Sequence, residues 1–548
     1  MTDYQHPYLL KRLERLNSIG VALSAERNSQ CLLEMILLGA QEITNADGGT
    51  LYTIHEDTHL KFEIMRNKTL NLALGGTTGQ EIPFLPLPLY LEDGSPNLTT
   101  IASHATLNNK TINIVDAYQT ESFDFSGTRK FDEKTGYRSQ SFLTIPMKNH
   151  ESEVIGVLQL INAIDIDTGE IIPFSLANQS LVESLASQAA VAMTNQSLIT
   201  GLKGLFESFI ELIADAIDQK SPYTGGHCRR VPELTMMLAQ AAIDAKSGPL
   251  KDFTLNENEL YELKVASWLH DCGKVTTPEA VMDKPTKLSS IFDRIELIAQ
   301  RFDLLKQQAE NAMLKKQLLL LTDNAPFQDL EAKFTEMQAE LEAFKSQCDL
   351  DHDFLRASNI GSESMTAEDQ QRVRDIGMRE FVDANGCKTK FLSEDELYNL
   401  SIVRGTLTAE ERQIINNHID VTISMLESLP YPRSLQRVPE YACNHHERMD
   451  GTGYPRGLTR EQMSVPARMM GVADIFEALT SKDRPYKKAK TLSESLNILG
   501  RMKVNHHIDP DLFDIFIREK IYLRYAQRFL EPEQIDDVDH ALIPGYTP

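Results

Sequence analysis

Five of the fourteen histidines in this 548-residue sequence stand in contexts that could do chemistry: His227, His270, His418 and the doublet His445-His446. Two aspartates join them, Asp271 directly after His270 and Asp474 downstream of the doublet. Imidazole and carboxylate without thiolate is a donor set for manganese, iron or zinc, and it suits hydrolysis by a metal-bound water. A carboxylate can bridge two cations with its two oxygens, whereas an imidazole serves one cation per ring nitrogen. Asp271 is therefore the natural bridge, with the histidines distributed to either metal. His6, His55, His59, His104, His150, His352, His506, His507 and His540 read as structural. The doublet alone would be a weak signal, because helix neighbours point about 100° apart. Together with His-Asp-x-Gly-Lys at 270–274 and Ala-Asp-x-x-x-Ala-Leu at 473–479, it is much harder to reach by chance.

These residues need elements to hold them. His270-Asp271 ends an apolar helical stretch, Val265 to Leu269, and the pattern from Pro222 to about Leu530 is nearly all helical. Within it, 294–346 reads as two long amphipathic helices broken at Asp323-Asn324-Ala325-Pro326, a helical hairpin. Residues 176–218 carry almost no Gly or Pro and read as one long helix, with a bend expected near Gly201–Gly204. A heptad fits, with Leu185, Ala192, Ile199, Phe206 and Ile213 at a, and Gln188, Asn195, Leu202, Phe209 and Ala216 at d. A dimeric seam and a helix packed on its own domain are both open. Residues 1–175 mix patterns. Leu9 to Ile43 is helical in period, followed by β-rich runs at Thr50–Ile54, Lys61–Met65, Thr111–Val115, Phe142–Pro146 and Val154–Asn162. Turns are expected at Asp47-Gly48-Gly49 and Asp93-Gly94. Helices flanking an antiparallel sheet make a small α+β module.

Composition narrows the function. Lys+Arg is 55 and Asp+Glu is 79, a net charge of −24. That balance argues against binding nucleic acid polymers or anionic membranes, and any anionic substrate needs a local cluster of Lys and Arg. No apolar run approaches the ~20 residues of a membrane span, and the N-terminus lacks a signal-peptide pattern. The six cysteines form no CxxC pair. A cytoplasmic protein with reduced thiols is expected.

The segments HDCGKVTTPEAVMDKP, NHHERMDGTGYPRGL and VADIFEALTSKDRPYKKA resemble the HD-GYP phosphodiesterases, a branch of the HD metal-dependent phosphohydrolases. The resemblance covers about Ser208–Leu288 and Thr406–Ile517. It implies an all-helical fold, a binuclear or trinuclear centre of iron or manganese, and hydrolysis of cyclic dinucleotides, chiefly cyclic di-GMP, to a linear dinucleotide or GMP. By position, the implied ligands are His227, His270, Asp271, His418, His445, His446 and Asp474. Lys274 is implied at the scissile phosphate, and Arg484 and Lys487 as further substrate contacts. A GGDEF-type partner is implied at the loop Gly453-Tyr454-Pro455. Arg448 and Asp450 either shape that loop or act directly.

Three departures shape the expectation. Members with three metals carry Glu where this chain has Tyr223, so two divalent ions are expected. One extra residue lies in Thr480-Ser481-Lys482-Asp483-Arg484. His270 and His418 are much farther apart than usual, which marks 289–407 as an insertion. Such an insertion spares a site whose ends lie close, because loop-closure entropy grows only logarithmically.

Asn113 to Tyr118, Asp132 to Tyr137 and Val154 to Asn162 resemble GAF domains of cyclic-nucleotide phosphodiesterases. Asn162 and Phe174 of their signature remain, but Ala163 and Asn178-Gln179 replace its Lys and Asp-Glu. The implied ion pair is lost, and a dimerisation scaffold without ligand is an equal reading. The expected architecture is a GAF domain (1–175), a connecting signalling helix (176–218) and an HD-GYP domain (208–530) with a helical insertion (289–407), as a homodimer. Cyclic di-GMP leads as substrate. The alternatives are 3′,3′-cyclic GMP-AMP hydrolysis and a catalytically quiet signalling scaffold.

Overall fold

Alternating apolar and polar residues build a sheet in the first of two units, residues 1–205. The computed structural model describes residues 5–220, 226–322, 327–361, 364–383, 386–481 and 489–547. Tyr223, Arg484, Lys487 and the expected hairpin break at 323–326 lie outside the described residues. Helices α1 (Gln5–Ala25) and α2 (Ser29–Thr44) come first. The helical period expected from Leu9 to Ile43 is broken at Asn28, whose side chain caps α2 by accepting from the Gln30 and Cys31 N–H groups.

Strands β1 (Ala46–His55), β2 (His59–Asn67), β3 (Leu72–Gly75), β4 (Leu87–Pro88), β5 (Ile112–Ile114), β6 (Phe142–Lys148), β7 (Val154–Ile164) and β8 (Ile171–Ile172) follow. They form one antiparallel sheet in the order β3-β2-β1-β7-β6-β5, with β4 on β2 and β8 on β7. The turn expected at Asp47-Gly48-Gly49 is instead part of β1. A Cβ on Gly49 would stand 2.8 Å from Leu37 Cδ1 and 3.0 Å from the Gln159 carbonyl. Glycine there serves close packing, not a turn. Helices α3 (Ile101–Asn108) and α4 (Ser126–Thr135) complete the α+β unit. One sheet face buries Leu51, Leu158 and Leu160 with Ile36 and Leu37 of α2 and with Val182 and Leu185 of the following helix. Asn162 holds a corner, accepting from Gln140 N–H at 2.8 Å and donating to the Arg138 carbonyl at 2.8 Å. Ala163 is buried, and Gln179 accepts from Asn113 at 3.2 Å, so neutral groups stand at these positions.

That helix, α5 (Leu176–Lys220), runs unbroken through Gly201–Gly204. The second unit, residues 206–548, continues with α6 (His227–Ile243), α7 (Glu257–Leu269), a 3-10 turn at Cys272–Thr276 and α8 (Glu279–Met282). An inserted block follows: α9 (Ile295–Thr322), α10 (Phe327–Asn359), α11 (Ala367–Gly377), β9 (Glu380–Val382), β10 (Lys388–Lys390) and α12 (Glu394–Leu400). Then come α13 (Ala409–Asn416), α14 (His418–Glu427), α15 (Val438–Cys443), α16 (Val465–Thr480), α17 (Leu492–Val504), α18 (Pro510–Arg518) and α19 (Ile521–Phe529). The short β9–β10 ladder departs from the helical expectation for the insertion.

The block has its own core of Ile298, Phe302, Leu355, Ile376, Phe391 and Leu400. Leu234, Leu263, Tyr441, Met469, Phe476 and Phe516 belong to the main helical core. The block's two ends are tied together. Lys284 Nζ lies 2.8 Å from both Glu411 carboxylate oxygens and 2.9 Å from Asn399 Oδ1. Thr406 donates to the Lys284 carbonyl at 3.0 Å, and Lys287 Nζ donates to the Ile402 and Leu400 carbonyls at 2.8 and 3.2 Å. The chain thus leaves and rejoins the main core at one point.

Candidate metal centre

Each clustered histidine sits where a helix end can fix its ring. His270 follows α7, His418 starts α14, His445 follows α15 and His227 starts α6. The Nδ1 atoms of His270, His418 and His445 donate to the carbonyls three residues earlier, Ser267, Ile415 and Ala442, at 2.8, 2.5 and 2.6 Å. Those bonds set the tautomer that leaves Nε2 with a free lone pair. His227 is oriented differently, through Nδ1 against the Glu477 carboxylate.

The freed nitrogens converge. Asp271, His418, His445 and His446 form one group whose ligand atoms lie within 4.8 Å of one another, and His227, His270 and Asp474 form a second. Asp271 joins the two. Its Oδ1 lies 3.2 Å from His418 Nε2, while its Oδ2 lies 3.2 Å from His227 Nε2 and 3.3 Å from His270 Nε2. Asp474 Oδ1 is 3.3 Å from His227 Nε2. The 3-10 turn can press this close to α14 because residue 273 is glycine: a Cβ there would meet the His418 carbonyl at 2.0 Å. The structure therefore brings together all seven side chains in the two groups.

The arrangement fits divalent cations. Asp271 Oδ1 and His445 Nε2 are buried without a hydrogen-bond partner. His446 Nε2 faces His418 Nε2 at 3.3 Å, and His270 Nε2 faces His227 Nε2 at 3.3 Å. Opposed nitrogen lone pairs at that distance need a proton or a cation between them. Burial would raise the Asp271 and Asp474 carboxyls, but the neighbouring imidazoles, with Lys274 at Asp271, hold both well below the usual range. Burial would likewise lower His270, yet Asp271 and Asp474 lift it to about 9. Burial keeps His445 and His446 neutral, His446 down to about 4. Such a pocket draws positive charge to its centre.

Lys274, expected at a phosphate, lies with its ammonium 2.5 Å from Asp271 Oδ2. It puts a cation at the rim of the cluster. Tyr454 stacks on the His446 ring, centroids 4.9 Å apart. Asp450 accepts from Thr452 N–H at 3.0 Å and thereby shapes the loop.

Two carboxylates escaped the sequence reading. Glu477 is buried one helical turn after Asp474, orients His227, and pairs with Arg230 at 2.6 Å. Its signal was the Asp-x-x-Glu spacing, which puts both carboxylates on one face of α16. Glu447 accepts from the Arg456 and Leu458 N–H groups at 2.7 and 2.9 Å, folding the Tyr454 loop back over the doublet.

Residues 394–512 match the family model described as HD domain, and residues 28–193 match that described as GAF domain. A cyclic di-GMP phosphodiesterase of Pseudomonas aeruginosa is 40% identical over 21% of this chain and 26% of its own length. A 3′3′-cGAMP-specific phosphodiesterase of Vibrio cholerae is 43% identical over 15% of this chain and 19% of its own length. The matches thus span between 19% and 26% of these relatives' length. Among solved structures, the GAF domain of a phosphoenolpyruvate-protein phosphotransferase from Coxiella burnetii is 16% identical, with a TM-score of 0.27, covering 35% of this chain and 98% of that one. Residues 28–193 carry a GAF domain and residues 394–512 an HD domain, and His418, His445, His446 and Asp474 of the latter meet His227, His270 and Asp271 in a cluster able to hold metal.

Proposed function

We propose that the chain is a metal-dependent phosphodiesterase that hydrolyses cyclic di-GMP to the linear dinucleotide or GMP. The observation that carries this is Asp271, with one carboxylate oxygen turned to each group of histidines. In this reading His418, His445 and His446 hold one divalent ion, and His227, His270 and Asp474 hold the other, iron or manganese in both. Among the described residues there are two such groups, in keeping with two ions. When bound, the ions supply Lewis acidity and a water acidic enough to attack a diester at neutral pH. The chain's own residues do the rest. The backbone carbonyls behind His270, His418 and His445 keep the rings from turning. Lys274 offers its ammonium to the phosphoryl oxygens, which gain charge in the transition state. Arg484 and Lys487 are the further basic residues for the anionic substrate that the resemblance implies.

The relatives support this substrate class, and the Vibrio cholerae relative is the reason to test 3′,3′-cyclic GMP-AMP beside cyclic di-GMP. A cytoplasmic location goes with that class; no helix among the described residues is long and apolar enough to cross a membrane. The GAF domain is the regulatory module, and a GGDEF-type partner would meet the loop of Tyr454. Two copies pair through α5. Leu185 is buried in the sheet unit and Phe206 packs on the helical core, so the expected a positions do not share a free face. Ile199 and Ile213 of the expected a positions and Leu202 and Phe209 of the d positions are exposed, and with Leu198, Leu205 and Leu212 the last two make an exposed stripe at alternating steps of four and three. Product analysis of metal-loaded protein with both dinucleotides tests the reading. Loss of metal and turnover in Asp271→Ala supports it, and full metal with full turnover in that variant rejects it.

A further inference from the structure

The final turn of α5 holds backbone groups beside His227 and beside Lys274. Ile210, Ala214 and Ile217 of this helix are buried in the helical core, which fixes its C-terminal end. Asp218, buried two residues before the end of the helix, reaches the start of α6. Its Oδ2 accepts from Gly226 N–H at 2.9 Å and its Oδ1 from Cys228 N–H at 3.3 Å. Helix α6 has no capping side chain of its own, because its N-cap is Gly226. Asp218 therefore satisfies the orphan N–H groups on either side of His227 and sets a negative charge against the helix N-terminus. Two residues on, Lys220 Nζ donates to the Lys274 carbonyl at 3.2 Å and to the Val275 carbonyl. Those carbonyls belong to the 3-10 turn at Cys272–Thr276, which carries Lys274 and begins directly after Asp271.

We propose that the last turn of α5 is a joint that sets the geometry of the metal cluster: Asp218 positions His227, and Lys220 positions the turn that follows Asp271 and bears Lys274. Both are positioning residues. Neither reaches the cluster itself, and each acts through a backbone it holds. The inference rests on the phosphodiesterase reading for its turnover readout alone.

The test uses the full chain with Mn2+ as the probe, measuring affinity by chelator competition and turnover with cyclic di-GMP. Asp218→Ala is expected to weaken Mn2+ binding about tenfold, the scale seen when partners that orient metal ligands are removed. Asp218→Asn, which keeps one acceptor oxygen, should fall between it and the unmutated chain, and it serves if the alanine variant fails to fold. Lys220→Met is expected to keep its Mn2+ and lose kcat about tenfold with KM little changed, as a misplaced transition-state contact does. Lys220→Arg should restore the rate. Asp215 pairs with Arg229 at 2.6 Å one turn earlier on the same helix, and Asp215→Ala should change neither readout. Unaltered Mn2+ affinity in both Asp218 variants, or unaltered kcat in Lys220→Met, overturns the proposal. An unmutated chain that binds Mn2+ but cleaves no cyclic dinucleotide defeats the phosphodiesterase reading, and the joint is then judged on Mn2+ affinity in the Asp218 variants.

Discussion

At the scale of single residues, the cluster separates donors from the groups that aim them. Lys274→Ala should leave metal content nearly intact while lowering turnover, because its ammonium pairs with Asp271 and is not itself a donor. Elemental analysis beside a rate assay checks this, and loss of metal in that variant would make Lys274 structural to the site. Glu477→Gln keeps a hydrogen-bonding group near His227 Nδ1 but removes the charge that polarises the ring. Metal affinity should fall by about tenfold or more. His270-Asp271 and His445-His446 were legible in the sequence because adjacency survives in one dimension, while His227, His418 and Asp474 entered the set through the resemblance. Glu477 was not singled out, because a buried carboxylate on a helix looks in sequence like any surface Glu. Asp218 and Lys220 were illegible for a similar reason: their partners are backbone groups, which leave no mark in sequence.

At the scale of elements, short contacts and buried charge give the next two predictions. Gly273→Ala drives a Cβ into the His418 carbonyl and must push α14 away from the 3-10 turn. Overpacking of this kind costs about 1–3 kcal/mol, and metal affinity should fall with stability. A chemical-denaturation curve and a metal titration read both. Lys287 gives a pH dependence. It is 1% exposed and bonded to carbonyls, and burial holds its ammonium down to about 8. Between pH 8 and the ordinary lysine value of 10.5, the folded form has released a proton that the unfolded chain still holds. Stability of the inserted block therefore rises with pH across that window. Relative to Lys287→Met, the unmutated chain should gain in thermal stability as pH rises from 8 toward 10, and a constant difference between the two would contradict this. Alternation made strands β1, β2, β5, β6 and β7 readable, and the 3.6 period did the same for the hairpin helices. Gly48-Gly49 misled, since a glycine that admits a neighbouring side chain and one that admits a turn are identical in sequence.

At the scale of the whole molecule, α5 carries the claim of pairing. Leu205→Glu with Leu212→Glu places charge on its exposed apolar stripe and should convert a dimer to a monomer in sedimentation, with the metal content of each chain retained. Of the heptad read from the sequence, Ile199, Leu202, Phe209 and Ile213 are exposed, and which face stays free depends on what each end of the helix packs against. Leu185 and Phe206 are spent on the two cores. The insertion was legible as an interruption between His270 and His418. That its two ends meet was not, because this rests on Lys284, Glu411 and Thr406 coming together across the neck.

The central claim is a two-ion centre that cleaves a cyclic dinucleotide, and chromatography of the products is its most direct test. The full chain, purified anaerobically and loaded with iron or manganese, is incubated with cyclic di-GMP, with Asp271→Ala in parallel. The account predicts linear dinucleotide or GMP from the unmutated chain, none from the variant, and two ions per unmutated chain by elemental analysis. Intact cyclic di-GMP and intact 3′,3′-cyclic GMP-AMP after incubation with a chain holding both ions would contradict it.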